Sequence, residues 1–314
     1  MSVLTENNIS LQNEISILKK AKNAVILAHY YQEPEIQEIA DFVGDSLELA
    51  KKAATTNADI IVFAGVHFMA ETAKILNPSK KVLLPDINAG CSLAESCPPE
   101  AFQELKEQYP NHAVVTYINC SAEIKAMSDV VCTSSNAERV INSIALDKSI
   151  IFAPDKNLGR YLIEKTGREM LLWDGACIVH EAFSIDKLLE LYAKYPLAKI
   201  IAHPESEEHI LKISNYIGST SGMLNFVKSS QQDTFIVATE AGILHQMQMD
   251  VPNKTLIPVP AKEDNSCACS ECAFMKMNTL QKLKACLKDE SPEIILKERL
   301  MKAAHRPIKR MMEL

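Results

Sequence analysis

Short β-branched apolar runs alternate along this chain with longer stretches in which apolar residues recur at helical spacing, and the alternation is written three times. The first unit passes from AVILAHYYQEPEIQEIADFVGDSLELAKKA through DIIVFAGVHFMAETAKIL to KKVLLPDINAGCSLA. The second runs from AVVTYINCSAEIKAMSDVVCTSSNAERVINSI through KSIIFAPDKNLGRYLIEKTG to REMLLWDGACIVH. The third runs from AKIIAHPESEEHILKISNYIGSTSGMLNFVKSS through DTFIVATEAGILHQMQM to KTLIPVPAKEDNSCACSEC. Each reads as strand, helix, strand, helix, strand, and each then reaches a cysteine. The units start at Ala24, Ala113 and Ala198, separations of 89 and 85 residues, and the same offsets recur at Gly65, Pro154 and Thr239. A register held over several landmarks points to triplication. The expected fold is α/β: three pseudo-symmetric three-layer α/β domains with short parallel sheets around a central active site. The boundaries are placed at 1–110 with an N-terminal helix, 111–196, and 197–314 with C-terminal helices.

Composition narrows the class. No apolar run approaches the roughly 18 residues of a membrane span, and the opening MSVLTENNISLQNEISILKK lacks the charge and apolar pattern of a targeting segment. The expectation is a soluble, cytoplasmic protein with no membrane association. With 33 basic against 40 acidic residues and no basic block, a nucleic-acid footprint is not expected, and small molecules are the expected partners. Nine cysteines without a secretion signal suit reduced thiols better than a disulfide framework.

The cysteine that closes each unit is a candidate ligand: Cys91 in NAGCSLA, Cys177 in DGACIVH, and one of Cys267, Cys269 or Cys272 in NSCACSEC. Structural zinc sites use local pairs, and neither Cys91 nor Cys177 has a CxxC partner, so thiolates converging from three units favour iron and sulfide. Three protein ligands on a four-iron cluster would leave one iron open as a Lewis acid. Cys97, Cys120, Cys132 and Cys286 read as packing residues. Cys269 and Cys272 form a CxxC that reads equally as a redox pair, and a non-catalytic ligand-binding protein would suit the same architecture.

The first strand of each unit ends in polar groups: His29 and Tyr31, Tyr117 and Asn119, His203 and Glu205. Further on, GDS, TSSNA and GST mark three helix starts, with Ser46, Ser134, Ser219 and Thr220 as either plain caps or contributors to anion binding. His180, three residues after Cys177, is expected near the ligands of the second unit, facing substrate or supporting the cluster.

HYYQ at 29–32, IADFVGDSLELA at 39–50, FMAETAKILNP at 68–78, SNAERV at 135–140, APDKNLGRY at 153–161, HPE at 203–205, YIGSTSGM at 216–223 and KMNTL at 276–280 together resemble the quinolinate synthases, over about Ala21 to Leu314. That resemblance implies three related α/β domains around one 4Fe-4S cluster, with Cys91, Cys177 and Cys272 as ligands. The last is chosen because the family's third ligand shortly precedes the NTL element. The extra Cys267 and Cys269 depart from members with a single cysteine there, and stand as spectators, disulfide partners of Cys272 or alternative ligands. The implied reaction condenses iminoaspartate with dihydroxyacetone phosphate to quinolinate, the NAD precursor, with loss of phosphate and two waters. By the same resemblance His29, Asn119 and His203 hold anionic and carbonyl groups. Tyr31, Tyr117 and Glu205 are the implied acid-base residues, while Ser46, Ser134, Ser219 and Thr220 bind substrate. It further implies no external redox cofactor, and a transient partner in the L-aspartate-oxidising enzyme that supplies the imine.

Overall fold

Three four-stranded sheets, all parallel, make the framework of the protein, seen in a computed structural model that describes residues 3–262 and 270–314. The first sheet is built from β1 (Ala24–His29), β2 (Phe42–Gly44), β3 (Ile60–Ala64) and β4 (Lys81–Leu83), in the order β2-β1-β3-β4. The second contains β5 (Ala113–Tyr117), β6 (Val130–Cys132), β7 (Ile150–Ala153) and β8 (Met170–Leu172), in the order β6-β5-β7-β8. The third contains β9 (Lys199–Ala202), β10 (Tyr216–Ile217), β11 (Thr234–Ala238) and β12 (Thr255–Pro258), in the order β10-β9-β11-β12. Helices cover both faces, so the central strands are buried end to end and read as continuous apolar runs.

Each unit has one strand more than the periodicity predicts. The additions, FVG, VVC and YI, are too short to display a period, and they become strands only by pairing with the first strand of their unit. A recurring side-chain bond marks this edge. Carboxylate or amide oxygens of Asp41, Asp129 and Asn215 accept the N–H of Ile26, Val114 and Ile200 at 2.8, 2.8 and 2.9 Å. The backbone N–H groups of the same three residues donate to the carbonyls of the same strand residues. Matched on this bond, His29, Tyr117 and His203 are structural equivalents, as are Tyr31, Asn119 and Glu205. The second unit spends one residue more between its first and third strands, as the pairs Leu27↔Phe63, Val115↔Phe152 and Ile201↔Val237 show. Landmarks at the third strand are unaffected: Gly65, Pro154 and Thr239 each directly follow its last residue.

Of the residues expected to cap, Ser219 does so, whereas Ser46 is the first residue of its helix and Asp45 caps it. Asp45 forms a capping box with Glu48 on α3 (Ser46–Thr55), and Ser219 caps α13 (Thr220–Ser229) at Gly222 N. Ser134 instead lies in a turn: α8 (Ala137–Asn142) begins after Asn136, whose side chain bonds Thr133 N and the carbonyl of Met311. The two C-terminal helices leave the third sheet. α15 (Leu280–Asp289) packs on α1 (Val3–Ala21) and β3, and α16 (Glu298–Glu313) packs on α7 (Ala122–Ala126) and β6. Among the described residues no helix is long and apolar enough to cross a membrane.

Candidate active site

The carboxyl ends of the three first strands open into one central cavity, the place where parallel α/β sheets gather ligands. His29 ends β1, Tyr117 ends β5 and His203 follows β9, so the same backbone position delivers one polar ring from each unit. Tyr31, Asn119 and Glu205, two residues on, line the cavity as well. Ser46, Ser134 and Thr220 complete the polar wall from the three segments that follow the short second strands. Ser219 does not reach this wall: its hydroxyl is spent on the cap of α13, and it faces a neighbouring groove. The cavity is narrow, with about 80 Å³ open to the centres of water-sized molecules, room for several waters.

All three expected cysteines, Cys91, Cys177 and Cys272, line this cavity. Cys267 and Cys269 lie outside the described residues. Of the described cysteines, Cys97, Cys120, Cys132 and Cys286 are buried in apolar clusters away from it. One local device holds each lining cysteine. The N–H of His67, Lys156 and Ala241, two residues past the third-strand landmark, donates to the carbonyl of Ala89, Gly175 and Ser270, two residues before the cysteine, at 2.7, 2.8 and 3.0 Å. The backbone N–H groups two and three residues on, Leu93 and Ala94, Val179 and His180, Phe274 and Met275, favour the thiolate of each. Burial pushes the Cys91 thiol up to about 12 and the other two upward as well, and repulsion from neighbouring groups adds to this. Three half-buried thiols become favourable thiolates once a cationic centre sits among them.

Two histidines are held in one tautomer by their own strands. Tyr31 N donates to His29 Nδ1 at 3.2 Å and Glu205 N donates to His203 Nδ1 at 3.4 Å, which leaves the proton of each neutral ring on Nε2. Burial lowers both pKa values to about 4, so both rings are neutral at physiological pH. The His203 Nε2–H reaches Ser134 Oγ at 3.1 Å.

Around them runs a polar chain drawn from all three units. Tyr117 donates to Glu205 Oε1 at 2.5 Å, and Glu205 Oε2 lies 3.0 Å from His180 Nδ1. His180 Nε2 is 3.1 Å from Thr239 Oγ1, which is 2.8 Å from the Tyr31 hydroxyl. Burial opposes the charge on Glu205, yet His180 and the Tyr117 hydroxyl outweigh it and hold the carboxyl below the ordinary range. Burial and the nearby Glu205 charge drive both tyrosines well above their ordinary value, so they enter the site as O–H donors. Asn119 Oδ1 is buried without a partner, an acceptor free for a ligand. No lysine or arginine occurs among the described residues that line the cavity. Anions there meet helix starts, hydroxyls and imidazole N–H groups instead.

Sequence reasoning passed over three residues of this site. Thr239 was visible only as a repeat landmark, although a buried threonine at the position of Gly65 and Pro154 is itself a signal. Glu240 is raised by burial to about 7, and its carboxylate accepts from Cys272 N at 3.1 Å and Gly242 N at 2.7 Å. Asp45, the cap of α3, also lines the cavity.

Among the described residues, the trio whose donor atoms all lie within 4.8 Å of one another is Cys177, His180 and Glu205; the sulfurs of Cys91, Cys177 and Cys272 are not so gathered. A single zinc ion with bonds of about 2.3 Å needs its sulfurs about 3.8 Å apart, so the cysteines suit a larger, polynuclear group.

Comparison with known proteins gives the family. The model of the quinolinate synthetase A protein family matches residues 13–313. A quinolinate synthase of Gloeothece citriformis is 61% identical over 96% of this chain and 92% of its own length. One from Thermosynechococcus vestitus is 60% identical over 98% and 96%, and one from Cyanophora paradoxa 60% identical over 99% and 94%. With the family match spanning residues 13–313 and these relatives about 60% identical over nearly the whole chain, the chain belongs to the quinolinate synthetase A protein family.

Proposed function

We propose that this enzyme condenses iminoaspartate with dihydroxyacetone phosphate to give quinolinate, phosphate and two waters, in NAD biosynthesis. One 4Fe-4S cluster would be held by Cys91, Cys177 and Cys272. The observation that carries this reading is the threefold device that presents one thiol from each unit, through the same backbone bond, to a cavity lined by His, Tyr and Glu. The donor set is soft, divided among three units and too widely spaced for one ion, which fits such a cluster. When bound, the cluster supplies a Lewis acid through the iron that has no protein ligand.

The remaining work falls to the side chains. His29 and His203, neutral with Nε2–H forward, donate to carbonyl or carboxylate oxygens without adding charge. Asn119 offers its free carbonyl oxygen to a hydroxyl or imine N–H and its amide to an oxygen. Ser46, Ser134 and Thr220 hold the anionic groups, helped by the backbone N–H groups at the starts of α3 and α13; Ser219 contributes by fixing the start of α13. Tyr31 and Tyr117 serve as general acids toward leaving hydroxyl groups. Glu205, kept ionised beside Tyr117 and His180, serves as the base that removes carbon-bound protons, with His180 orienting it. The narrow cavity limits competing hydrolysis of the imine.

The imine's instability in water favours supply by an L-aspartate-oxidising enzyme in transient contact. The free state of all the described cysteines favours a reducing compartment such as the cytoplasm. The test is iron and sulfide content after anaerobic purification, with quinolinate formation assayed on the same samples. The expected result is about four irons and four sulfides, lost in C91A, C177A and C272A and kept in C269A. Wild-type protein without iron, or iron loss confined to substitutions in CACSEC, overturns the reading.

A further inference from the structure

One carboxylate joins all three units beside the cavity. Asp45 Oδ1 accepts from Leu47 N and Glu48 N, each at 3.0 Å, as the cap of α3 in the first unit. Its Oδ2 accepts from Ser135 Oγ of the second unit at 2.7 Å and from Ser221 Oγ of the third at 2.5 Å. A carboxylate has about four lone-pair sites, and all four are taken. Asp45 is 4% exposed and borders the cavity, yet it has no acceptor capacity left for a substrate proton or hydroxyl.

What its bonds accomplish is legible in the residues next door. Each clasped residue adjoins a hydroxyl that lines the cavity: Asp45 precedes Ser46, Ser135 follows Ser134, and Ser221 follows Thr220. Ser46 and Thr220 are the first residues of α3 and α13, and Ser134 sits in the turn before α8. These three segments come from separate sheets, and no strand pairing runs from one sheet to another among the described residues. A bond between the segments themselves is therefore the direct way to set the spacing of their inner hydroxyls.

We infer that Asp45 is a positioning residue: by accepting from Ser135 and Ser221 it registers the three segments so that the hydroxyls of Ser46, Ser134 and Thr220 converge on one anionic group of the ligand. The inference rests on the proposed reaction, which supplies phosphate and carboxylate groups for such a cradle. It also accounts for a carboxylate beside an anion site, because the charge is consumed by four donors and serves geometry.

The decisive variant is S135A/S221A, which removes the clasp and leaves the Oδ1 cap of α3 intact. Its iron content and melting temperature are checked against wild type. Two quantities are then read on the anaerobic holoenzyme: the KM for dihydroxyacetone phosphate in quinolinate formation, and the Kd for quinolinate by calorimetry. A misplacement of about 1 Å costs up to about a hundredfold in well-aligned sites, so at least one of the two constants is expected to rise tenfold or more. The saturated kcat is expected to stay within about threefold, a split that general loosening of the fold would not give. Which constant rises identifies the anionic group. D45N is expected to stay near wild type, since its amide can donate to both serine oxygens while its carbonyl keeps the cap. Should the double variant fold poorly, S135A and S221A singly are each expected to raise the same constant about threefold. Wild-type turnover with both constants unchanged in the variants overturns the clasp alone. A wild type that neither forms nor binds quinolinate overturns the proposed reaction, and the cradle with it.

Discussion

Replacing Thr239 with valine tests the polar chain at the point that no substrate touches. Thr239 is fully buried, absent from the cavity wall, and bonded to both Tyr31 OH at 2.8 Å and His180 Nε2 at 3.1 Å. Valine keeps the shape and deletes the hydroxyl. Tyr31 lines the cavity and can find a water there, but His180 is 2% exposed and its Nε2 loses its partner. Leaving one buried polar atom unpaired costs about 1–3 kcal/mol. If that bond is needed to aim Tyr31 and His180 in the reacting complex, the same energy corresponds to a fall in kcat of roughly fivefold to 150-fold. T239S restores the hydroxyl and forfeits one methyl, about 1 kcal/mol of stability, with kcat expected within threefold of wild type. The assay is anaerobic quinolinate formation at saturating substrates, normalised to iron content. A T239V enzyme within twofold of wild type, or a T239S enzyme no better than T239V, would refute the reasoning.

Acid stability should reveal the two buried histidines. Their folded pKa values of about 4 lie below the unfolded value near 6.5, so the unfolded chain binds the extra protons, and stability present above pH 6.5 is lost as pH falls toward 4. Urea midpoints measured from pH 7.5 to 4.5 should decline, and H29Q or H203Q should flatten the decline; equal slopes in wild type and variants would count against it. Glu205, with its pKa depressed, contributes stability that is lost only below the ordinary carboxylate range, outside that window. E240A, which removes the acceptor of Cys272 N, is expected to lower iron content to less than half, whereas E240Q retains most of it; wild-type iron in E240A would show that the Cys272 segment does not depend on this bond. C132A and C286A alter fully packed positions and should keep the full iron complement while lowering the melting temperature by several degrees. Loss of iron in either would place a ligand where the fold shows only core.

The triplication, the α/β class and the polar ends of the first strands were all determined by the sequence. Their causes are local: buried parallel strands demand continuous apolar runs, helices demand their own period, and a turn that carries a polar residue to a strand end is written in adjacent positions. Cys91 and Cys177 could be picked out for the same reason, each at a fixed place in its repeat. Other features rest on contacts between residues far apart in the chain. Two- and three-residue strands exist only through their partners, and the extra residue of the second unit, which makes Tyr117 rather than Ile118 the match of His29, appears only in the pairing register. Among Cys267, Cys269 and Cys272, spacing left the ligand open; Cys272 is the described one, held by the same backbone bond and lining the same cavity as Cys91 and Cys177. The return of α15 and α16 to the first and second sheets, the bridge through Thr239 and the clasp on Asp45 are tertiary for one physical reason. A hydrogen bond or an apolar face acts over a few ångströms, and which residues come that close across three separate sheets is decided only when the sheets meet.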